Sequence, residues 1–460
     1  MNKFFETIST KDALTQNGAL TNSTSLNPVL DLFFLAGACR TESEENIIAK
    51  IQQAYSYDKN LTLKVIFWAG DIREGAGERR FFRLALKFLD DNYSNDLEKL
   101  IGLVPFYNRW DSLFDLNNEK ILDLVKSALD QKDGLCAKWL PREHSKKFEK
   151  FRLAFQKKFK LKSKFYRKLI VGLSKTVEQQ MSKKDWTNIV YKQVPSGAMN
   201  KYRKAFHRND QERFDSFINK VKSGEEKINA GAILPYDIYR AFKRGDNQSA
   251  IEAQWNALPN YMENSNEMIL PVCDVSGSME GSPMDISVSL GIYISERNQS
   301  CFKDGFITFS RTPKLQILNG SLCERMRQLE KAEWGQSTNL QAVFDLILGR
   351  ATQEKLSQED IPTKLLIISD MEFNEACPES TNFEAIKQKY SLVGYKMPSI
   401  IFWNVNGRVG NIPITQKDEN VALISGASPS IIKSILGGAI DPISVLNKTI
   451  LSLRYEQVKL

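Results

Sequence analysis

Asp274-Val-Ser-Gly-Ser278 places one carboxylate and two hydroxyls within five residues, and Thr338 and Asp370 add a third hydroxyl and a second carboxylate downstream. Such hard oxygen donors suit Mg²⁺, with Mn²⁺ or Ca²⁺ as substitutes. In Asp-x-Ser-x-Ser, alternate side chains of a tight loop point the same way, and Gly277 supplies turn freedom. Mg²⁺ takes about six oxygens, more than these side chains offer, so water or an acidic group from a partner completes the shell. That is capture chemistry. Hydrolysis would need a general base beside a metal-bound water, or a second metal. The two histidines, His144 and His207, lie far upstream in basic, helix-like sequence, and Glu372 is the one nearby base candidate, more plainly explained as a solvated rim carboxylate. The chain therefore reads as a binding protein, not an enzyme.

The elements that must hold these residues are strand ends. The apolar run Met268-Ile-Leu-Pro-Val272 precedes the Asp274 loop, and Pro283 fits the first turn of a helix over residues 284–296. Residues 363–368 read as a buried parallel strand ending in Ser369-Asp370, and Gly335-Gln-Ser-Thr338 opens another helix-like run. All three loops then lie at the carboxyl ends of strands, where open α/β sheets bind ligands.

In residue type and order, Asp274, Ser276, Ser278, Thr338 and Asp370 resemble the metal-ion-dependent adhesion site of von Willebrand factor A domains. The resemblance implies that the serines and the threonine contact Mg²⁺ directly or nearly so, and that the aspartates act partly through water. It covers roughly the last two-fifths of the chain. Met371-Glu372 stands where many members carry Gly, and Ser337 offers a second hydroxyl beside Thr338.

Upstream of residue 260, apolar residues recur at helical spacing over residues 29–40, 43–55, 61–70, 78–92 and 97–116, separated by short polar or glycine-bearing links. Paired helices stacked as a HEAT-like repeat would bury such stripes, although no strict period is present. Arg73-Glu-Gly-Ala-Gly77-Glu-Arg-Arg80 reads as a helix-to-helix turn, since it lacks the third glycine of a nucleotide fingerprint. The run Phe67-Trp-Ala-Gly-Asp-Ile-Arg-Glu-Gly-Ala-Gly-Glu-Arg-Arg80, followed by Phe106-Tyr-Asn-Arg-Trp-Asp111, resembles the TROVE module of the Ro ribonucleoprotein family, in which a ring of paired helices precedes an A domain. Leu14-Thr-Gln-Asn-Gly18 and Pro195-Ser-Gly-Ala-Met-Asn-Lys-Tyr-Arg-Lys-Ala-Phe206 more closely resemble segments of an uncharacterised family of plant, fungal and phage proteins with that layout. The expected architecture is α plus α/β: a helical-repeat, TROVE-like domain over 1–258 and a doubly wound von Willebrand factor A-like domain over 262–460.

Charge is concentrated in one place. Residues 138–168 hold thirteen basic residues against Glu143 and Glu149, a formal +11 in a chain whose total is +8. Within it Phe148, Phe151, Phe155, Phe159, Phe165 and Tyr166 recur at steps that suggest one amphipathic helix with an aromatic inner face. The lysine-rich outer face is either solvated or a track for phosphates. Its candidate nucleic-acid contacts are Lys146, Lys147, Lys150, Lys157, Lys158, Lys160, Lys162, Lys164, Arg167 and Lys168, with Lys201, Arg203 and Lys204 extending the surface. Ro resemblance implies binding of small or structured RNA.

At 460 residues and 42% hydrophobic content the chain can form two or three domains. It contains no apolar run of about 18 residues, so no membrane span is expected. Cys39, Cys136, Cys273, Cys301, Cys323 and Cys377 show no Cys-x-x-Cys spacing, as expected of reduced thiols in a cytoplasmic protein. Two functions follow: a non-catalytic, Ro-like RNA-binding component with a Mg²⁺-dependent recognition site, or a metal-dependent scaffold that captures an acidic side chain of a protein partner.

Overall fold

The computed structural model describes residues 12–308, 313–330, 338–374, 381–438 and 440–460; residues 335–337 and Cys377 of the readings above lie outside them. A short antiparallel pair, β1 (Ala13–Leu14) and β2 (Leu20–Thr21), opens the described chain. The main sheet contains β3 (Ile269–Cys273), β4 (Gly305–Thr308), β5 (Lys314–Ile317), β6 (Lys364–Ser369), β7 (Ser399–Asn404) and β8 (Val421–Ser425). Their order is β5-β4-β3-β6-β7-β8, with all neighbours parallel except the edge pair β4 and β5. Strands β3, β4, β6 and β8 are buried along their whole length, which is why they read as nearly continuous apolar runs. The winding direction reverses between β3 and β6. The loops leaving those two strands therefore flank the crevice where such sheets bind ligands.

Helices fill most of the sequence before β3: α1 (Pro28–Ala36), α2 (Glu44–Tyr57), α3 (Lys59–Gly70) and α4 (Arg79–Asn92) lie close to their expected positions. Asn27 caps α1, its Oδ1 accepting from the amides of Val29 and Leu30 at 3.0 and 3.2 Å, and Pro28 sits in the first turn. The turn at Arg73–Arg80 joins α3 to α4, and a Cβ on Gly75 would fall 2.0 Å from the Trp68 carbonyl oxygen. The helix expected over 97–116 is instead broken into α5 (Ser94–Glu98), α6 (Val104–Tyr107) and two 3₁₀ turns. Pro105 accounts for the break, because proline fits a helix's first turn but not its interior.

Further along come α7 (Lys120–Asp130), α8 (Gly134–Trp139), α9 (Glu149–Lys158), α10 (Ser163–Ser174), α11 (Val177–Ser182), α12 (Ser196–Asn209), α13 (Gln211–Lys222), α14 (Pro235–Lys243) and α15 (Gln248–Asn256). Helix α16 (Ser282–Arg297) then packs on β3, β4 and β6. The molecule is thus a helical region followed by a mixed, mostly parallel sheet with helices. One hydrophobic cluster runs from Val29 to Val458 through both, and a smaller one gathers Tyr191, Phe206, Phe214 and Phe217. Among the described residues, no helix is long and apolar enough to cross a membrane.

Three contacts tie distant parts of the chain to the sheet. Residues 12–22 lie against it: Thr15 Oγ1 donates to the Phe373 carbonyl at 2.7 Å, and Asn22 and Ile412 exchange backbone hydrogen bonds. Helix α1 abuts the end of β8, where Ser425 Oγ donates to the Phe33 carbonyl at 2.7 Å and accepts from the Gly37 amide at 3.0 Å. Near the other end, Arg454 and Tyr455 close on Asp71, which is fully buried at the end of α3.

Candidate metal centre

The register of β3 against β6 continues one residue past the strand: the Asp274 amide donates to the Ile368 carbonyl at 2.9 Å. Asp274 is thereby held beside the end of β6, where its Oδ2 accepts from Ser369 Oγ at 2.5 Å. Its Oδ1 accepts from the Ser276 amide at 2.9 Å and closes the turn that brings Ser276 Oγ within 3.1 Å of Ser278 Oγ. The Ser278 hydroxyl lies near enough to the Asp370 carboxylate to favour its charged form. Asp370 Oδ1 accepts from the Glu372 amide at 3.2 Å, whereas its Oδ2 is buried without a hydrogen-bond partner among the described residues.

Two buried carboxylates face one another here. Burial first, and the charge of Asp370 second, push the Asp274 carboxyl up to about 6. Asp370 is also raised by burial, partly offset by the Ser278 hydroxyl and by the nearby Arg408 guanidinium. Thr338 joins through the backbone two residues beyond Asp370, its Oγ1 donating to the Glu372 carbonyl at 2.7 Å. The structure thus joins Asp274, Ser276 and Ser278 by hydrogen bonds and sets Asp370 beside them, with Thr338 attached through residue 372. Asp274, Ser276, Thr338 and Asp370 are buried, while Gly277 and Ser278 are exposed and open the site to solvent.

The donor set fits a small divalent cation. An unpaired carboxylate oxygen inside the protein is costly, and two adjacent carboxylates with hydroxyls around them form a hard-oxygen cradle. Carboxylates and hydroxyls without an imidazole or thiolate among them are a donor set of the Mg²⁺ type and not of the zinc type.

Sequence reasoning did not include several of its neighbours. Asn17 Nδ2 donates to Thr338 Oγ1 at 3.1 Å and to the Glu372 carbonyl at 2.6 Å. The Gln16 amide donates to Glu372 Oε2 at 2.6 Å, and Arg408 Nε lies 3.9 Å from Glu372 Oε1. Glu372 is accordingly a buried, anchored carboxylate, not a solvated rim group. Met371, standing where the resembled family often has Gly, adopts φ 67° with a buried side chain, a backbone region that favours glycine.

The basic segment is exposed but differs from its expected form. Lys146, Lys147, Lys150, Lys157, Lys158, Lys160, Lys162, Lys164, Arg167 and Lys168 all face solvent. They lie on α9 and α10 and in the loops before and between them, because the chain turns at Lys160, whose φ is 50°, and the Leu161 amide bonds back to the Gln156 carbonyl at 2.9 Å. Phe151, Phe155 and Tyr166 point inward, but Phe165 is 64% exposed and lies off the aromatic face. Arg203 is withdrawn as a nucleic-acid contact: it is 1% exposed, bonded to the Asn200 carbonyl at 3.2 Å and 3.8 Å from the Asp246 carboxylate. Lys201 and Lys204 are exposed, the latter paired with Asp246 at 2.9 Å.

Residues 268–448 match the family model of a domain of unknown function, DUF7788, and residues 15–97 and 132–268 match that of another, DUF2828. The two matches meet at residue 268, one position before β3. An uncharacterized protein of Acanthamoeba polyphaga mimivirus, L728, is 27% identical over an alignment of 497 positions that covers 94% of this chain and 86% of the viral protein. None of these descriptions names an activity.

Proposed function

We propose that this chain is a non-catalytic binding protein whose sheet-bearing half is a von Willebrand factor A-type domain that captures an acidic group through Mg²⁺. The observation that carries this reading is the buried, unpartnered Oδ2 of Asp370 beside Asp274 and the Ser276–Ser278 hydroxyl pair, at the switch point of the sheet. Asp274, Ser276, Ser278, Thr338 and Asp370 would hold the ion, and a bound Mg²⁺ supplies an open Lewis-acid position for a carboxylate. The protein's own part is orientation. Ser369 and the Ser276 amide fix the Asp274 carboxylate, and the Glu372 amide fixes that of Asp370. Glu372 argues for binding over hydrolysis, because the Gln16 amide and Arg408 occupy the carboxylate that a general base would need free. Partner capture from native lysate tests the reading: a protein should be recovered with Mg²⁺ and lost with chelator or with Asp274→Ala. An identical recovered set under all three conditions rejects it.

A second reading, a Ro-like RNA-binding component, is favoured by the ten lysines and arginines of α9, α10 and the loops before and between them that all face solvent over an inward aromatic layer. Its ligand is a small or structured RNA, held through phosphates with a steep dependence on salt. Charge reversal at Lys157, Lys160 and Lys162 should abolish binding of a labelled oligoribonucleotide, and salt-insensitive binding rejects the reading.

A further inference from the structure

On α4, Arg79, Arg83 and Lys87 recur at four-residue steps and share one face, opposite the buried Phe81, Ala85 and Phe88. Arg83 reaches across to Asp111, its Nη2 lying 2.7 Å from Oδ2. Arg109 grips the same carboxylate through Nε, at 2.8 Å from Oδ1, and through Nη2. Arg109 also stacks on Trp139, its Cζ 3.6 Å from the ring centroid, which fixes the plane of its guanidinium. Asp111 thus neutralises one charge among three guanidiniums and leaves a formal +2. It is itself buried, behind the groups it holds.

Unused donors remain. Among the described residues Arg109 keeps Nη1 and Arg83 keeps Nη1, while Arg83 Nε is buried with no hydrogen-bond partner. Among the described residues Arg79 and Lys87 make no ion pair or hydrogen bond, and both are exposed. A rigid fork of guanidinium N–H groups matches the oxygens of a tetrahedral oxyanion, and a partly desolvated excess of positive charge favours binding one.

We propose that Arg79, Arg83 and Arg109 form a phosphate-binding site, with Lys87 at its margin. The ligand is a phosphate group carried by a nucleic-acid strand or by a small molecule. Two contacts join the site to the lysine-rich segment: Arg83 packs over Phe148, with Lys147 also within 4.8 Å of that ring's centroid, and Lys138 approaches Trp139. A strand following α9 would therefore pass the guanidiniums. In its nucleic-acid form the inference rests on the second reading above; as a phosphate site it does not.

The test compares the full-length protein with Arg79→Gln/Lys87→Gln, which touches only exposed, unpartnered side chains and should leave circular dichroism and the melting temperature unchanged. Binding of a labelled single-stranded oligoribonucleotide is read by anisotropy, and binding of inorganic pyrophosphate by calorimetry. The variant should bind the oligonucleotide about five- to tenfold more weakly, with a log–log salt slope shallower by about one to two, and should lose the pyrophosphate heat. Pyrophosphate binding that depends on Arg79, with no RNA binding by the wild type, supports the site with a small-molecule ligand and rejects the RNA reading. Arg79-dependent oligonucleotide binding without pyrophosphate binding supports the site with nucleic acid as the source. Oligonucleotide binding abolished by Lys157→Glu/Lys160→Glu/Lys162→Glu but unmoved by the arginine variant overturns the site and keeps the RNA reading. If the wild type binds neither probe, the site is overturned outright.

Discussion

Asp274, a ligand of the proposed ion site, carries a cost to the fold that follows from its burial. Its carboxyl titrates at about 6, raised chiefly by burial, against 3.8 for an ordinary aspartate. In the metal-free protein this shift stabilises the fold below the unfolded value, and that contribution is lost as the pH rises through about 6. At neutral pH the ionised carboxylate therefore costs about 3 kcal/mol. Asp274→Asn removes that charge while keeping an acceptor for the Ser276 amide. In chelator at neutral pH the variant should melt at or above the wild type, and the gap should close in mildly acidic buffer. Added Mg²⁺ should raise only the wild-type melting temperature. A variant that melts well below the wild type in chelator at neutral pH contradicts this balance. Protons and Mg²⁺ also compete for the same carboxylate, so Mg²⁺ affinity measured by calorimetry should fall about tenfold for each pH unit below about 6.

At the scale of elements, the β1–β2 pair acts as a strap on the proposed metal centre. Thr338 Oγ1 already gives its proton to the Glu372 carbonyl, and its lone pairs face Asn17 Nδ2 at 3.1 Å. A metal ligand needs one of those lone pairs. Asn17→Ala should therefore tighten Mg²⁺ binding by roughly two- to tenfold, the worth of one hydrogen bond, in the same calorimetric titration. Weaker binding would instead make Asn17 a supporting member of the site. The strap also shows what a sequence can and cannot convey. Asp274, Ser276 and Ser278 were legible because one loop carries them, and β3 and β6 because a strand buried on both faces must be apolar. Asn17 was not, because its partner lies 321 positions away and nothing local requires an amide there. The turn at Lys160 escaped for a different reason: lysine favours helices, and only a left-handed backbone shows that the helix stops. Arg203 resembled its exposed neighbours until packing against Asp246 buried it.

The whole molecule is joined by contacts between residues far apart in sequence, and two of them make opposite demands. Gly37 demands space: a Cβ there would stand 2.6 Å from the Ser425 backbone at the end of β8. Gly37→Ala should force α1 off the sheet and lower stability by about 1–3 kcal/mol, read as a reduced urea midpoint. Asp71 demands charge. It is fully buried at the end of α3 and bound by Arg454 Nε and Nη2 and by the Tyr455 hydroxyl at 3.1 Å, so the chain near residue 455 is clasped to a helix near residue 70. Asp71→Asn leaves the largely buried Arg454 guanidinium with only the more exposed Glu74, 3.2 Å from its Nη1, so the loss should approach, without reaching, the cost of a broken buried pair, about 3–5 kcal/mol. Because one hydrophobic cluster runs from Val29 to Val458, the helical region and the sheet should unfold together, with tryptophan fluorescence and circular dichroism tracing a single urea transition. Asp71→Asn should shift that transition to lower urea with both probes still coincident. Two separated transitions in the wild type would mean that the clasp and the α1 contact join bodies that fold independently.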